Sequence, residues 1–184
     1  MNTTTTTSSQ GITDIGGSGD GDLLVWILAW SELAAFGALF TAFIAAGWIH
    51  PADFAAGRAH LHQDIPVLNT MVLLTSGWFA ASATSASSRS RRLQLFAAAA
   101  SGLLFVVIKL YEYRVEGISI VTTDTFTQLY LLLTGFHLAH VLFGSLILLI
   151  VGVFPNRQNI HLICTLWHVI DIVWLVMLPV VYLI

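Results

Sequence analysis

FTQLYLLLTGFHLAHVLFGSLILLIVGVF, from Phe126 to Phe154, contains no Asp, Glu, Lys or Arg. It runs well past the roughly 20 apolar residues a helix needs to cross the hydrocarbon of a bilayer. Its most polar side chains, His137 and His140, fall near its middle. Four further stretches meet the same requirement: Leu23 to Trp48, Val67 to Ala86, Leu93 to Tyr113, and Ile160 to Ile184. The expected fold is all-α, a transmembrane bundle of five helices. The punctuation between spans agrees: Pro51 follows the first, Pro66 opens the second, SSRSRR (Ser87 to Arg92) separates two from three, and Pro155 with Asn156 breaks four from five.

Composition points the same way. Of the 184 residues, 57% are hydrophobic and 9% charged, against about 25% charged in soluble domains. Six Trp and eleven Phe suit a chain whose interfaces are anchored by aromatic rings. A net charge of −3 offers no basic surface to a nucleic-acid backbone. Cys164 is the only cysteine, which removes intramolecular disulfides, thiolate cages and iron–sulfur ligation. Residues 1–21, with the tracts TTTTTSSQ and GGSGDGD, lack basic residues and apolar bulk and read as a disordered arm. The apolar run from Leu23 is too long, and too aromatic at the cleavage position, for a signal peptide, so it is expected to be retained.

Orientation follows from Arg89, Arg91, Arg92 and Arg157 in the two-to-three and four-to-five connections, against Arg58 and Arg114 at the other end. The positive-inside rule places the N-terminus in the cytoplasm and the C-terminus outside. Span two carries small residues in two ridges, Ser76, Ala80 and Thr84 beside Gly77, Ala81 and Ser85, which predicts close helix packing. Gly135, Ala139 and Gly144 are expected to do the same in span four.

Ionisable groups at membrane depth need a partner or a purpose. They are Glu32 in span one, Lys109 and Glu112 in span three, His137 and His140 in span four, and His168 and Asp171 in span five. Glu32 and Asp171 lie at similar heights, roughly 15 Å from the cytoplasmic end of their spans. The i,i+3 spacings of His137 with His140 and of His168 with Asp171 put each pair on one helix face. A buried polar cluster of Glu32, His137, His140, His168 and Asp171, joining spans one, four and five, is the expectation. Lys109 and Glu112 read either as an intrahelical ion pair with the lysine snorkelling or as a lipid head-group or partner-subunit contact. Haem would need histidines from two helices face to face, and a di-metal site would need E-x-x-H motifs, which are absent. Polar glue between helices is the reading these residues favour.

Five segments, in order, resemble subunit III of the haem-copper oxidases: SELAAF (Ser31 to Phe36), PVLNTMVLLTS (Pro66 to Ser76), KLYEY (Lys109 to Tyr113), TGFHLAHVLFG (Thr134 to Gly144) and LWHVIDIVW (Leu166 to Trp174). The resemblance runs from about Gly21 onward. The five-span length is similar to the short bacterial branch that lacks the first two helices. The opening GDLLVWILAWSE (Gly21 to Glu32) and the ending MLPVVYLI (Met177 to Ile184) are most similar to the NorE branch, accessory to nitric oxide reductase. The resemblance implies a non-catalytic subunit of a terminal oxidase or nitric oxide reductase in the bacterial cytoplasmic membrane. No metal or haem is expected in this chain, with haem and copper in partner subunits. It also implies docking against the catalytic subunit I and a cleft that holds phospholipid. Glu32 matches the family's buried glutamate, and His137, His140, His168 and Asp171 match polar positions of its last two helices. Short loops leave little surface on which a soluble cytochrome could dock. The rival is a stand-alone proton-coupled carrier or b-type cytochrome built on the same residues.

Overall fold

The computed structural model describes residues 19–59, 61–62, 64–118, 124–154 and 157–182. These form six helices: α1 (Gly19–Ile49), α2 (Pro51–Ala59), α3 (Asp64–Ser85), α4 (Ser88–Val115), α5 (Thr125–Val153) and α6 (Arg157–Tyr182). All but α2 are long and apolar enough to span a membrane. Most of the expected N-terminal arm, residues 1–18, lies outside the described residues, as do Pro155, Asn156 and the last two residues. Residues 19–22 belong to α1.

Two stretches expected as connections are helical. The segment after span one folds into α2, with Pro51 at the first helical position, where its missing N–H costs nothing, Asp53 in the first turn and Arg58 in the last. Ser88 to Arg92 forms the first turns of α4 rather than a separator. Arg91 is buried there and ties α4 back to the end of α3, donating from Nη2 to the Ala86 carbonyl at 2.8 Å and from Nε to that of Ala83 at 3.3 Å.

Helix ends follow local chemistry. Beyond the Glu116 C-cap of α4, Gly117 takes φ +65°, Gly117 N–H reaches Arg114 O, and Ile118 N–H reaches Tyr113 O, the paired bonds of a Schellman turn. At the start of α5 the Asp124 carboxylate accepts from Thr127 N–H at 2.9 Å, satisfying one of the orphan donors.

The helices pack as a ring in which α3 meets α4, α4 meets α5, α5 meets α6, and α6 returns to α3. α1 lies outside the ring against α5 and α6, and α2 folds back onto α5. Large side chains fill the ring: Trp167, Trp174, Phe105, Leu73, Leu133 and Met177 are all at most 1% exposed. Trp167 of α6 fits because residues 102 and 144 are glycine. A Cβ at Gly144 would stand 2.6 Å from Trp167 Cζ3, and one at Gly102 would stand 2.8 Å from Trp167 Cη2.

The small-residue expectation needs two corrections. On α3, Ser76, Gly77, Ala80 and Ala83 face the interior, whereas Ala81, Thr84 and Ser85 are exposed, so only half of the two ridges packs. On α5, Gly135 meets no atom within 4 Å of a Cβ position and Ala139 is exposed, so of the three residues expected to pack closely only Gly144 does. α3 is fastened instead by polar groups. Ser76 Oγ donates to Ala98 O (2.7 Å), Asn69 Nδ2 to Phe105 O (3.4 Å), and Trp174 Nε1 to Thr70 Oγ1 (2.9 Å).

Because the space at Gly144 is filled by an indole, Gly144→Val is expected to destabilise the bundle by about 1–3 kcal/mol, the ordinary cost of overpacking. Gly135→Ala meets nothing and should be neutral or stabilising. Thermal unfolding of the two variants in the same detergent checks this, and equal destabilisation would contradict the packing described.

Candidate functional site

The most demanding chemistry inside the bundle lies one turn from the end of α4. Lys109 and Glu112 are i,i+3 on its inner face, and both side chains are 0% exposed, with Lys109 Nζ 2.7 Å from Glu112 Oε1. The ammonium spends its remaining donors on Tyr130 OH at 2.9 Å and Tyr182 OH at 2.7 Å. Tyr182 OH donates in turn to Glu112 Oε1 at 2.6 Å. The rings of Tyr113, Tyr130, Trp174 and Tyr182 stand 5.1–5.4 Å from Nζ, so π faces supplement the carboxylate.

The intrahelical pair is therefore present, but Lys109 does not snorkel. Neither Lys109 nor Glu112 has exposed surface to offer lipid or a partner, because α5 and α6 bring a tyrosine each over the pair. Tyr130 and Tyr182 escaped the sequence reading. The available signal was that both lie within two turns of the same bundle end as Glu112.

The network extends outward through Glu116. Tyr130 OH is 3.3 Å from Glu116 Oε2, and Glu116 Oε1 accepts from His62 N–H at 3.2 Å. Glu116 lines a hollow of about 290 Å³ together with Asp53, Asp124, Thr127 and Tyr130. Burial, and then the nearby charge of Glu112, hold the Glu116 carboxyl above its usual range, with Lys109 and the two hydrogen bonds opposing.

The five residues expected to form one cluster divide into three units. Glu32 Oε2 lies 2.8 Å from His140 Nε2, both side chains partly exposed at 31% and 24%. His140 Nδ1 is 2.8 Å from the Phe136 carbonyl, which can only accept, so Nδ1 carries a hydrogen. His137 is wholly buried, and its Nε2 donates to Ile170 O at 3.2 Å. Phe36 stands beside both histidines, with ring centroids at 6.1 and 5.5 Å. His168 Nδ1 and Asp171 Oδ2 are 3.4 Å apart on α6, against Gly77 of α3 rather than against α1.

Spans one, four and five are thus joined by Glu32–His140 and by His137 to the α6 backbone, while His168 and Asp171 serve the α3–α6 seam. Cys164 serves it too, donating from Sγ to Ala80 O at 3.2 Å. Among the described residues no three His, Cys, Asp or Glu side chains converge as a metal site would require.

Fold and site together define a multi-pass helical membrane protein with buried polar side chains paired between and within its helices. Comparison with known proteins narrows that class. The family described as Cytochrome c oxidase subunit III matches residues 21–184, and the chain belongs to this family. It is 32% identical over 167 residues to cytochrome c oxidase subunit 3 of Synechocystis sp., covering 83% of this chain and 71% of that one. It is 28% identical over 176 residues to that of Thermostichus vulcanus, covering 88% and 85%. It is 31% identical over 134 residues to a probable cytochrome c oxidase subunit 3 of Rickettsia prowazekii, covering 65% and 48%.

Removing one member of a buried ion pair strands the other. Glu112→Ala is expected to cost about 3–5 kcal/mol. The apolar double change Lys109→Met with Glu112→Leu should recover most of that loss. Unfolding in detergent micelles measures both, and a single variant within about 1 kcal/mol of wild type would contradict the burial described.

Proposed function

We propose that this chain is a non-catalytic, cofactor-free subunit of a respiratory haem-copper complex in the bacterial cytoplasmic membrane. It packs laterally against the catalytic subunit I and holds phospholipid. The observation that carries the reading is membership of the subunit III family across residues 21–184, joined to protein partners for the three histidines at membrane depth. His137 is tied to a backbone carbonyl, His140 to Glu32 and a carbonyl, and His168 to Asp171. The haem and copper then belong to partner subunits, and the host is a terminal oxidase or a nitric oxide reductase. The opening and closing segments, similar to the NorE branch, favour the second.

Glu32 and His140 line a mainly apolar hollow of about 180 Å³ with Leu28, Phe143, Trp167 and Ile170. Such a hollow suits an acyl chain, and the closeness of a carboxylate and an imidazole supports a second, smaller role in proton supply. The pair acts first as a strut, since it holds α1 to α5 where α1 is otherwise little buried.

Glu32→Ala in the assembled complex is therefore expected to leave initial turnover within about twofold, equivalent to about 0.4 kcal/mol on a barrier. The same change should shorten the active lifetime during sustained turnover. Initial rates and their decay are the measurement. Immediate and complete loss of initial turnover, with the complex still assembled, would overturn the non-catalytic assignment.

A further inference from the structure

We propose that the seam of α3 and α6 around His168 is the face that docks on the catalytic subunit, where it receives a membrane-spanning helix bearing a hydroxyl or carboxamide side chain at mid-depth. This rests on the subunit reading above and adds the place of contact.

His168 is a polar group set where lipid cannot satisfy it. Its side chain is 41% exposed, more than any other ionisable side chain at membrane depth; Glu32 and His140 follow at 31% and 24%. At about 1.5 Å per residue it stands roughly 14 Å from Asn159 and roughly 21 Å from Tyr182, the ends of its span. Hydrocarbon offers no hydrogen bond at that depth. The ring is held there by Asp171, itself 8% exposed, whose Oδ2 lies 3.4 Å from Nδ1. Nε2 has no partner among the described residues. Behind the pair the seam is closed by the α3 backbone: a Cβ at Gly77 would collide with Asp171 Oδ2 and stand 3.5 Å from His168 Cε1. The exposed side of the imidazole therefore faces out of the bundle.

The surroundings distinguish this side from a surface that needs only lipid. Between Leu93 and Leu110 the exposed residues of α4 are Leu93, Phe96, Ala100, Leu104, Val107 and Leu110, all apolar. Beside His168, helical spacing sets Leu74 and Trp78 of α3 and Ile172 of α6, all exposed, so apolar surface surrounds one polar point. Helices in a membrane associate through such surfaces, by close packing plus a polar side chain bonded across the interface. A hydroxyl or carboxamide suits Nε2 because each can both donate and accept, whichever tautomer the ring adopts. A carboxylate or ammonium in its place would bring a further charge to mid-depth.

The test is photo-cross-linking in native membranes of the tagged full chain, with Trp78, Ile172 or Val107 replaced in turn by a benzophenone residue. Positions 78 and 172 should capture the haem-copper catalytic subunit, and position 107, on the α4 face, should not. His168→Leu should reduce the catalytic subunit retained with the tagged chain about tenfold, and His168→Gln, which keeps a hydrogen-bonding group, should restore retention to within twofold. Capture of the catalytic subunit from position 107 alone, capture of only lipid or a second copy of this chain from positions 78 and 172, or full retention by His168→Leu would each overturn the docking face while leaving the subunit reading intact. Absence of any haem-copper subunit from the unsubstituted tagged chain's preparation would overturn that reading and the docking face together.

Discussion

A polar group buried in a membrane protein cannot turn to water, so the protein must satisfy it. The Lys109–Glu112 pair is where that requirement is heaviest: Glu112 Oε1 gathers its hydrogen bonds, and buried Oε2 makes none among the described residues. Two full charges with no exposed surface persist because α5 supplies Tyr130, α6 supplies Tyr182, and four aromatic rings surround the ammonium. Three helices must arrive in register for the arrangement to exist. This end of the bundle is set by chemistry as much as by packing.

The rest of the architecture extends from that junction. Moving along the ring, Trp174 bonds to Thr70, Trp167 nests against Gly102 and Gly144, and Ser76 reaches the Ala98 carbonyl. At the opposite end Arg91 closes the α3–α4 turn. Each contact ties a side chain of one helix to a glycine, a carbonyl or a hydroxyl on its neighbour, as expected where lipid removes the hydrophobic drive between helices. α1 is the exception. It lies outside the ring, and Glu32–His140 is its polar link to α5. A bundle tied in this way suits a subunit that supports a neighbour rather than one that changes shape to do chemistry.

The spans were legible because a run of twenty apolar residues has few alternatives. Local partners were legible too, since i,i+3 spacing fixes which side chains of one helix lie together: Lys109 with Glu112, His168 with Asp171. Neighbours across helices were not. His137 and His140 point about 60° apart on α5, enough to send one to α6 and the other to α1 and so divide the expected cluster. Tyr130 and Tyr182 carry no motif, and only the common height of three helix ends links them to Lys109. The short helix α2 was overlooked because Pro51 reads as a breaker, although at the first helical position it is a starter. Arg91 was counted for its charge and not for its place.

The central claim is that this chain works beside a redox centre and not around one. Its most direct test is to tag the chain, purify it from native membranes in mild detergent, and measure subunit composition and visible spectrum together, before and after the complex is dissociated. The account predicts that a haem-copper catalytic subunit accompanies the chain and that the haem absorption leaves with that subunit. A stoichiometric Soret band remaining with the separated chain would contradict it.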